Sequence, residues 1–179
     1  AGAVQRLLRE ALKRTSYPKR DAAILLQADF TESPDYIVPL IKAMEGGADV
    51  VAGVVEVNGR PAPPAVRVAR RMAPWALGRA FALAPVSDPL SGFRAYRLIV
   101  LKKALADFRD RPFLTTDGWA SNVELLGLVA PHARRIVEVP VTMRYDVHGR
   151  PSRLRAVRTL RGLLRVRRER WERPAREGK

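Results

Sequence analysis

A short apolar run that ends in a polar turn, followed at once by a helix start, constrains the fold of this chain most. Residues 22–26, Ala-Ala-Ile-Leu-Leu, have the length and continuity of a strand buried on both faces, as in a parallel sheet. The run ends at Gln27, and Ser33 and Pro34 then have the sequence of a helix cap and a first helical residue. Asp29 therefore follows the carboxyl end of a buried strand, where open α/β sheets bind ligands. By position alone, a turn cap is an equal interpretation of Asp29.

Helical and extended patterns alternate along the chain, which predicts an α/β fold with a mostly parallel sheet flanked by helices. The predicted helices are 3–14, 34–45, 65–84, 98–106, 119–130 and 153–171. The predicted strands are 22–27, 48–57, the last part of 86–97, and 134–141. Pro74 is expected to kink or split its helix, and Pro140 indicates that its strand lies at an edge of the sheet or ends there.

Two helices have apolar stripes from which we predict their buried faces. In 34–45 the inward residues are expected to be Ile37, Leu40, Ile41 and Met44. In 153–171, which Ser152 would cap, the stripe is Leu154, Val157, Leu160, Leu164 and Trp171, and arginines take the other positions. This stripe either packs on the sheet or faces inward while the arginines lie at lipid headgroups. Helix 65–84 presents the same choice between a solvated and an interfacial face for its arginines, Arg67, Arg70, Arg71 and Arg79.

Basic charge is the strongest compositional signal. Thirty-three Lys and Arg stand against 18 Asp and Glu, for a formal net charge of +15. Residues 150–179 alone hold eleven Arg and one Lys against three Glu, a net charge of +9. This concentration predicts an anionic partner, which is phospholipid, nucleic acid or a phosphorylated substrate. The chain has no cysteine, which excludes disulfides and thiolate metal sites.

Carboxylates and arginines near predicted strand ends are the candidates for chemistry. They are Asp29, Asp88, Arg94, Glu124, Arg144 and Arg153. Carboxylate oxygens suit Mg²⁺ or Mn²⁺ shared with substrate phosphates, and guanidinium groups suit phosphate oxygens. The set predicts chemistry on a phosphorylated or nucleotide-activated substrate. The chain lacks a glycine-rich phosphate loop, and its two histidines have no metal-binding spacing.

Five segments, in order, resemble glycosyltransferase family 2. They are QADFTESPDYI, GGADVVAGVVE, VSDPLSGFRAYR, VELLGLV with RRIVEVPVTMRY, and HGRPSRLR. The similarity is greatest to the dolichol- or polyprenol-phosphate mannose synthase-like branch. It implies a GT-A fold, a nucleotide-sugar donor, and Mg²⁺ or Mn²⁺. The family's first strand and nucleoside-binding segment have no counterpart, so we expect an N-terminally truncated GT-A domain over 1–152 and a basic amphipathic helix and tail over 153–179.

The resemblance implies a set of donor-binding residues. Asp29 matches the second aspartate of the family's Asp-X-Asp motif, which implies that it binds the metal and the diphosphate. Gln27 replaces the first aspartate and brings no charge, which leaves metal dependence open. Arg144, Ser152 and Arg153 resemble a basic loop that folds over the diphosphate, where the arginines would neutralise charge on the leaving nucleotide.

The SDPLSGFR segment resembles the family's acceptor region. Asp88 and Arg94 are the predicted catalytic residues, and Ser91, Gly92 and Glu124 are predicted on the acceptor side. A lipid phosphate is already ionised, so Asp88 would then position the metal or the acceptor. For a hydroxyl acceptor Asp88 would be the general base. A turn cap is the structural alternative for Asp88.

These expectations combine into one leading hypothesis and two rivals. The first is an inverting glycosyltransferase, or an incomplete and inactive fragment of one, cytoplasmic and peripheral at the inner face of an anionic membrane, with a polyprenyl phosphate or other lipid-linked acceptor. The second is a non-catalytic basic module that binds membrane or nucleic acid, which explains the charge but not the ordered motifs. Nucleic acid is the weaker choice because Trp171 is the only aromatic residue in the basic tail. A nucleotidyltransferase would need the missing phosphate loop.

Overall fold

The computed structural model describes residues 1–28, 31–56, 62–78, 86–108, 111–144 and 156–171. The helices in these ranges are α1 (Gly2–Arg14), α2 (Ile37–Glu45), α3 (Pro64–Leu77), α4 (Leu98–Leu105), α5 (Trp119–Val129) and α6 (Ala156–Trp171). The strands are β1 (Ala22–Leu25), β2 (Val50–Glu56), β3 (Arg94–Arg97) and β4 (Ile136–Thr142). Short 3₁₀ turns cover Pro34–Tyr36, Ala106–Phe108 and Ala130–His132.

The four described strands form one mixed sheet in the order β1-β3-β2-β4. β2 pairs in parallel with β4, and β3 runs antiparallel to both β1 and β2. β1, β2 and β4 therefore run in one direction, and the helices flank the sheet, which confirms the predicted fold class. The expected burial of β1 on both faces is wrong, because β1 lies at an edge of the described sheet, pairs only with antiparallel β3 there, and has no fully buried residue. The carboxyl ends of these three strands and the amino end of β3 share one side of the sheet, which we name the carboxyl edge. Pro140 lies in β4, which is an edge strand as predicted.

Alternate side chains of the strands enter two different cores. Val50, Ala52 and Tyr96 pack with α1, α4 and α5 on one face of the sheet. Val51 and Ala95 pack with α2 on the other face. A third cluster joins α3, α5 and α6 beside the segment that precedes β3. This third cluster places α3 and α6 next to the carboxyl edge.

Helix α2 contacts the sheet through a narrower stripe than predicted. Ser33 accepts a hydrogen bond from the Asp35 N–H at 3.3 Å, and Pro34 begins the 3₁₀ turn, so the predicted helix start is confirmed. Leu40 and Met44 are buried, but Ile41 is exposed and its predicted inward position is wrong. Adjacent helical residues differ by about 100° in direction, so Ile41 points away from the stripe that Leu40 and Met44 form.

The predicted stripe of the last helix is right at Leu160, which is partly buried against the third cluster, and wrong at two other positions. Val157 and Leu164 are exposed, whereas Thr159, Leu163 and Val166 are buried. Leu163 and Val166 pack against small residues of α3 and α5 rather than on the sheet; these are Ala69, Ala73, Ala76 and Ala120. The helix carries apolar residues on both faces, and only the shape of its neighbours decides which face is buried.

Gly162 lets α6 approach α5 closely. A Cβ atom added at Gly162 would lie 2.7 Å from Ala120 Cβ, which is too close for two carbons. We expect Gly162→Ala to lower the free energy of unfolding by about 1–3 kcal/mol through overpacking, although alanine favours a helix by about 1 kcal/mol. Urea denaturation measures the change. Ala120→Gly removes the facing methyl, so the double variant should be more stable than the sum of the single effects. A Gly162→Ala protein as stable as wild type would contradict this packing.

Candidate functional site

Three predicted site segments meet at the carboxyl edge. Gln27 follows β1, Asp88 lies in the segment that precedes β3, and Arg144 follows β4. The Arg144 N–H donates to the Thr31 carbonyl at 2.9 Å, and Glu32 forms an antiparallel bridge with Met143. The segment after β1 and the end of β4 are thus joined directly, at the place where the topology rule for α/β sheets puts ligands.

A buried carboxylate stands beside Gln27. Glu32 is buried, and its Oε2 accepts a hydrogen bond from the Gln27 backbone N–H at 2.6 Å. The sequence lacks an aspartate at position 27, yet the fold places the Glu32 carboxyl group within hydrogen-bond distance of that backbone. Asp29, two residues further on, lies outside the described residues, so its donor-binding role stays a prediction.

The two oxygens of Asp88 have different partners. Oδ1 accepts from the N–H groups of Leu90 at 3.1 Å and Ser91 at 3.2 Å, so Asp88 does cap a turn. Oδ2 lies 3.1 Å from Arg70 Nε, close enough for an ion pair but not aligned as a hydrogen bond. Asp88 is only 9% exposed, and the Ser91 hydroxyl beside it is buried without a hydrogen-bond partner in the described part of the chain.

Arg70 is a site residue that sequence reasoning missed. Besides its contact with Asp88, its guanidinium lies 6.0 Å from the Trp119 ring centroid and its Nη2 lies 3.8 Å from Met143 Sδ. It therefore links the predicted acceptor segment to the end of β4. The missed signal is its spacing, because Arg70 is four residues after Val66 and three before Ala73, both on the buried face of α3.

Arg94 fixes the Asp88 turn to helix α5. Its side chain is 0% exposed. Nη1 donates to the Asn122 carbonyl at 2.7 Å, and Nη2 donates to the carbonyls of Asp88 at 3.2 Å and Pro89 at 2.7 Å. These contacts give Arg94 a positioning part; the catalytic contact expected from the resemblance stays a prediction.

Glu124 and Gly92 also lie where α5 meets its neighbouring loops. Glu124, 1% exposed, accepts hydrogen bonds from the N–H and hydroxyl groups of Thr115 and Thr116 at 2.8–3.0 Å. Burial alone would raise the pKa of Glu124, but these hydrogen bonds outweigh it and lower that pKa. Gly92 packs so closely on α5 that an added Cβ would lie 3.0 Å from Asn122 Nδ2. The acceptor-side roles of Ser91, Gly92 and Glu124 stay predictions.

The remaining site predictions concern residues that the structure does not describe, or groups that it does not contain. Ser152 and Arg153, like Asp29, lie outside the described residues. Within the described ranges, no three His, Cys, Asp or Glu side chains come together as metal ligands, so the described residues alone do not fit a metal site. None of the described helices is both long and apolar enough to cross a bilayer.

Comparison with known proteins identifies the fold. No family model matches the chain, and no curated protein sequence matches it. A solved structure does: glucosyl-3-phosphoglycerate synthase from Mycobacterium tuberculosis in complex with phosphoglyceric acid, at 22% identity and a TM-score of 0.54. The match covers 89% of this chain and 53% of the synthase, so the chain spans about half the length of that protein. The described sheet and helices have a GT-A-like fold.

Proposed function

We propose that this chain takes part in the transfer of a sugar from a nucleotide-sugar donor to a phosphorylated acceptor. The observation that carries the proposal is the meeting of Gln27, Asp88 and Arg144 at the carboxyl edge, where the partly buried side chain of Arg70 contacts both Asp88 and Met143. A GT-A-like fold with the ion pair between Arg70 and Asp88 at this edge supports sugar transfer. The solved structure it resembles is a synthase named for a glucosyl product.

The charged residues of the site would have two different roles, one toward the acceptor and one toward the leaving diphosphate. Arg70 and Asp88 would hold the acceptor, and the acceptor oxygen would then attack the anomeric carbon in line and displace the nucleoside diphosphate. Arg144, with Arg153, would offset the charge that develops on the leaving diphosphate. Mg²⁺ or Mn²⁺, proposed at Asp29, would supply further positive charge at the same diphosphate. No step in this scheme requires a nucleophile from the protein.

The acceptor we propose is a polyprenyl phosphate or another lipid-linked phosphate, met by a cytoplasmic enzyme at the inner face of the membrane. A phosphate acceptor is ionised at neutral pH and leaves Asp88 a positioning part. The synthase of similar fold binds phosphoglyceric acid, so a soluble phosphorylated acid is the other kind of acceptor that carries a phosphate group. With a hydroxyl acceptor of that kind, Asp88 would be the general base.

Asp29→Ala tests the donor side of the proposal. The 179-residue chain is incubated with labelled nucleotide sugars, Mn²⁺ and either acceptor, and the transferred label is counted. We expect Asp29→Ala to lower transfer at least tenfold, because the metal ion that would hold the diphosphate loses a ligand. Asp107→Ala, at an exposed aspartate in the 3₁₀ turn that follows α4, is the matched control.

Two results would contradict this assignment. Equal transfer by Asp29→Ala and wild type would remove Asp29 from the donor site. Vesicle binding without transfer from any donor would favour the non-catalytic membrane module instead.

A further inference from the structure

Helix α3 presents a row of large apolar side chains to solvent. Val68, Met72 and Trp75 are spaced by four and three residues, so they lie along one face of the helix. All three are exposed, and Trp75, at 68%, is the most exposed large hydrophobic residue in the described chain. We name these three residues the α3 outer row. Such a row on a helix that already buries its opposite face predicts a partner surface.

Positive charge accompanies the α3 outer row. Arg67 and Arg71 are exposed on α3, which contains no acidic residue, and neither has an ion-pair partner among the described residues. α6 packs against α3 and adds the exposed Leu164 with three arginines around it, Arg161, Arg165 and Arg168. The surface therefore combines hydrocarbon with cationic groups and fits an anionic partner.

We propose that the α3 outer row inserts into the headgroup region of an anionic phospholipid bilayer, with Arg67 and Arg71 at the phosphates. Transfer from water to hydrocarbon lowers the free energy of the side chains of Val68, Met72 and Trp75. Tryptophan also suits the boundary between headgroups and acyl chains. Nucleic acid would reward the arginines but not valine or methionine. The α3 outer row is thus the main apolar part of the docking surface.

The position of α3 connects this surface with the site. Arg70, on the opposite side of the same helix, contacts Asp88. One helix, about 10–12 Å across, separates the docked row from the proposed acceptor site. This inference deepens the proposed function, since a lipid-phosphate acceptor would reach Asp88 from the surface on which α3 lies.

Vesicle co-sedimentation tests the inference on the intact chain. Wild type is mixed with phosphatidylcholine vesicles with or without about one-third phosphatidylglycerol. We expect strong binding only to the anionic vesicles, and at least a tenfold weaker partition coefficient for Met72→Ser/Trp75→Ser. The matched control is Leu7→Ser/Tyr17→Ser, which changes side chains of similar exposure, 66% and 64%, outside α3 and should bind as wild type does.

The charged residues need a second pair of variants. Arg67→Gln/Arg71→Gln should weaken binding to the anionic vesicles several-fold, whereas Arg6→Gln/Arg20→Gln, at exposed arginines outside α3, should not. Brominated lipid should quench wild-type fluorescence more than that of Trp75→Phe, because Trp75 enters the bilayer.

Specific results would overturn the docking surface. Met72→Ser/Trp75→Ser binding as tightly as its control would remove the row from the membrane. Binding that depends on Arg67 and Arg71 but not on the α3 outer row would also overturn it. A general polyanion site, which also binds a DNA duplex, would behave in this way. Transfer to 3-phosphoglycerate without vesicles should be unaffected by Met72→Ser/Trp75→Ser. Vesicle binding without any sugar transfer would contradict the proposed function but support the proposed docking surface.

Discussion

Replacing Arg94 by methionine is expected to lower the free energy of unfolding by about 3 kcal/mol or more. Methionine fills much of the same volume, and it removes the cost of burying a charge. The carbonyls of Asp88, Pro89 and Asn122 would nevertheless lose their donor. Arg94 is 0% exposed, so water cannot replace the guanidinium at these carbonyls without opening the turn.

Chemical denaturation measures this loss, and two further variants make the test specific. Arg94→Lys keeps the charge but has a single ammonium group, so it should recover only part of the stability. Arg14→Met, at a side chain that is 80% exposed, should change stability by less than about 0.5 kcal/mol. If Arg94→Met were as stable as Arg14→Met, the three hydrogen bonds would not hold the Asp88 turn.

The sequence predicts the sheet and most of its helices because β1, β2 and β4 are short and largely apolar and turn residues separate the elements. The 22–26 run, the Gly46-Gly47 helix end and the β-branched strand that follows are all local signals. The two wrong faces, at Ile41 and along α6, have a common cause. Both helices have more apolar residues than their neighbours can cover, so tertiary packing, not periodicity, decides which residues are buried.

The site could be predicted in outline but not in its contacts. Motif order indicated Asp88, and two interpretations remained, a turn cap or a residue that faces the acceptor. The structure assigns the capping contacts to Oδ1 and leaves Oδ2 beside Arg70. Arg70 itself resembled three other arginines of its helix in the sequence. Only the approach of α3 to the carboxyl edge distinguishes it from Arg67 and Arg71.

The second large effect is expected at Asp88, where asparagine should lower kcat/KM for sugar transfer by about 10²-fold or more. Asparagine keeps an acceptor for the Leu90 and Ser91 N–H groups. It removes the negative charge that fixes the Arg70 guanidinium, so Arg70 would no longer be held in position to bind the acceptor. Because the turn is retained, the unfolding midpoint should change far less than for Arg94→Met.

Arg70→Gln gives a partner measurement for this second prediction. If Arg70 and Asp88 act as one unit, the double variant Arg70→Gln/Asp88→Asn should be little slower than Asp88→Asn alone. Fully additive losses would mean that the 3.1 Å contact between Asp88 and Arg70 has no part in transfer.

The initial rate of sugar transfer by the 179-residue chain, compared among wild type, Asp88→Asn and the control Asp107→Asn, tests the proposed site at the carboxyl edge most directly. The proposal predicts transfer to a phosphorylated acceptor by wild type and by Asp107→Asn, and a rate lower by about 10²-fold or more for Asp88→Asn. Equal rates for all three proteins, or no transfer by wild type from any donor, would contradict it.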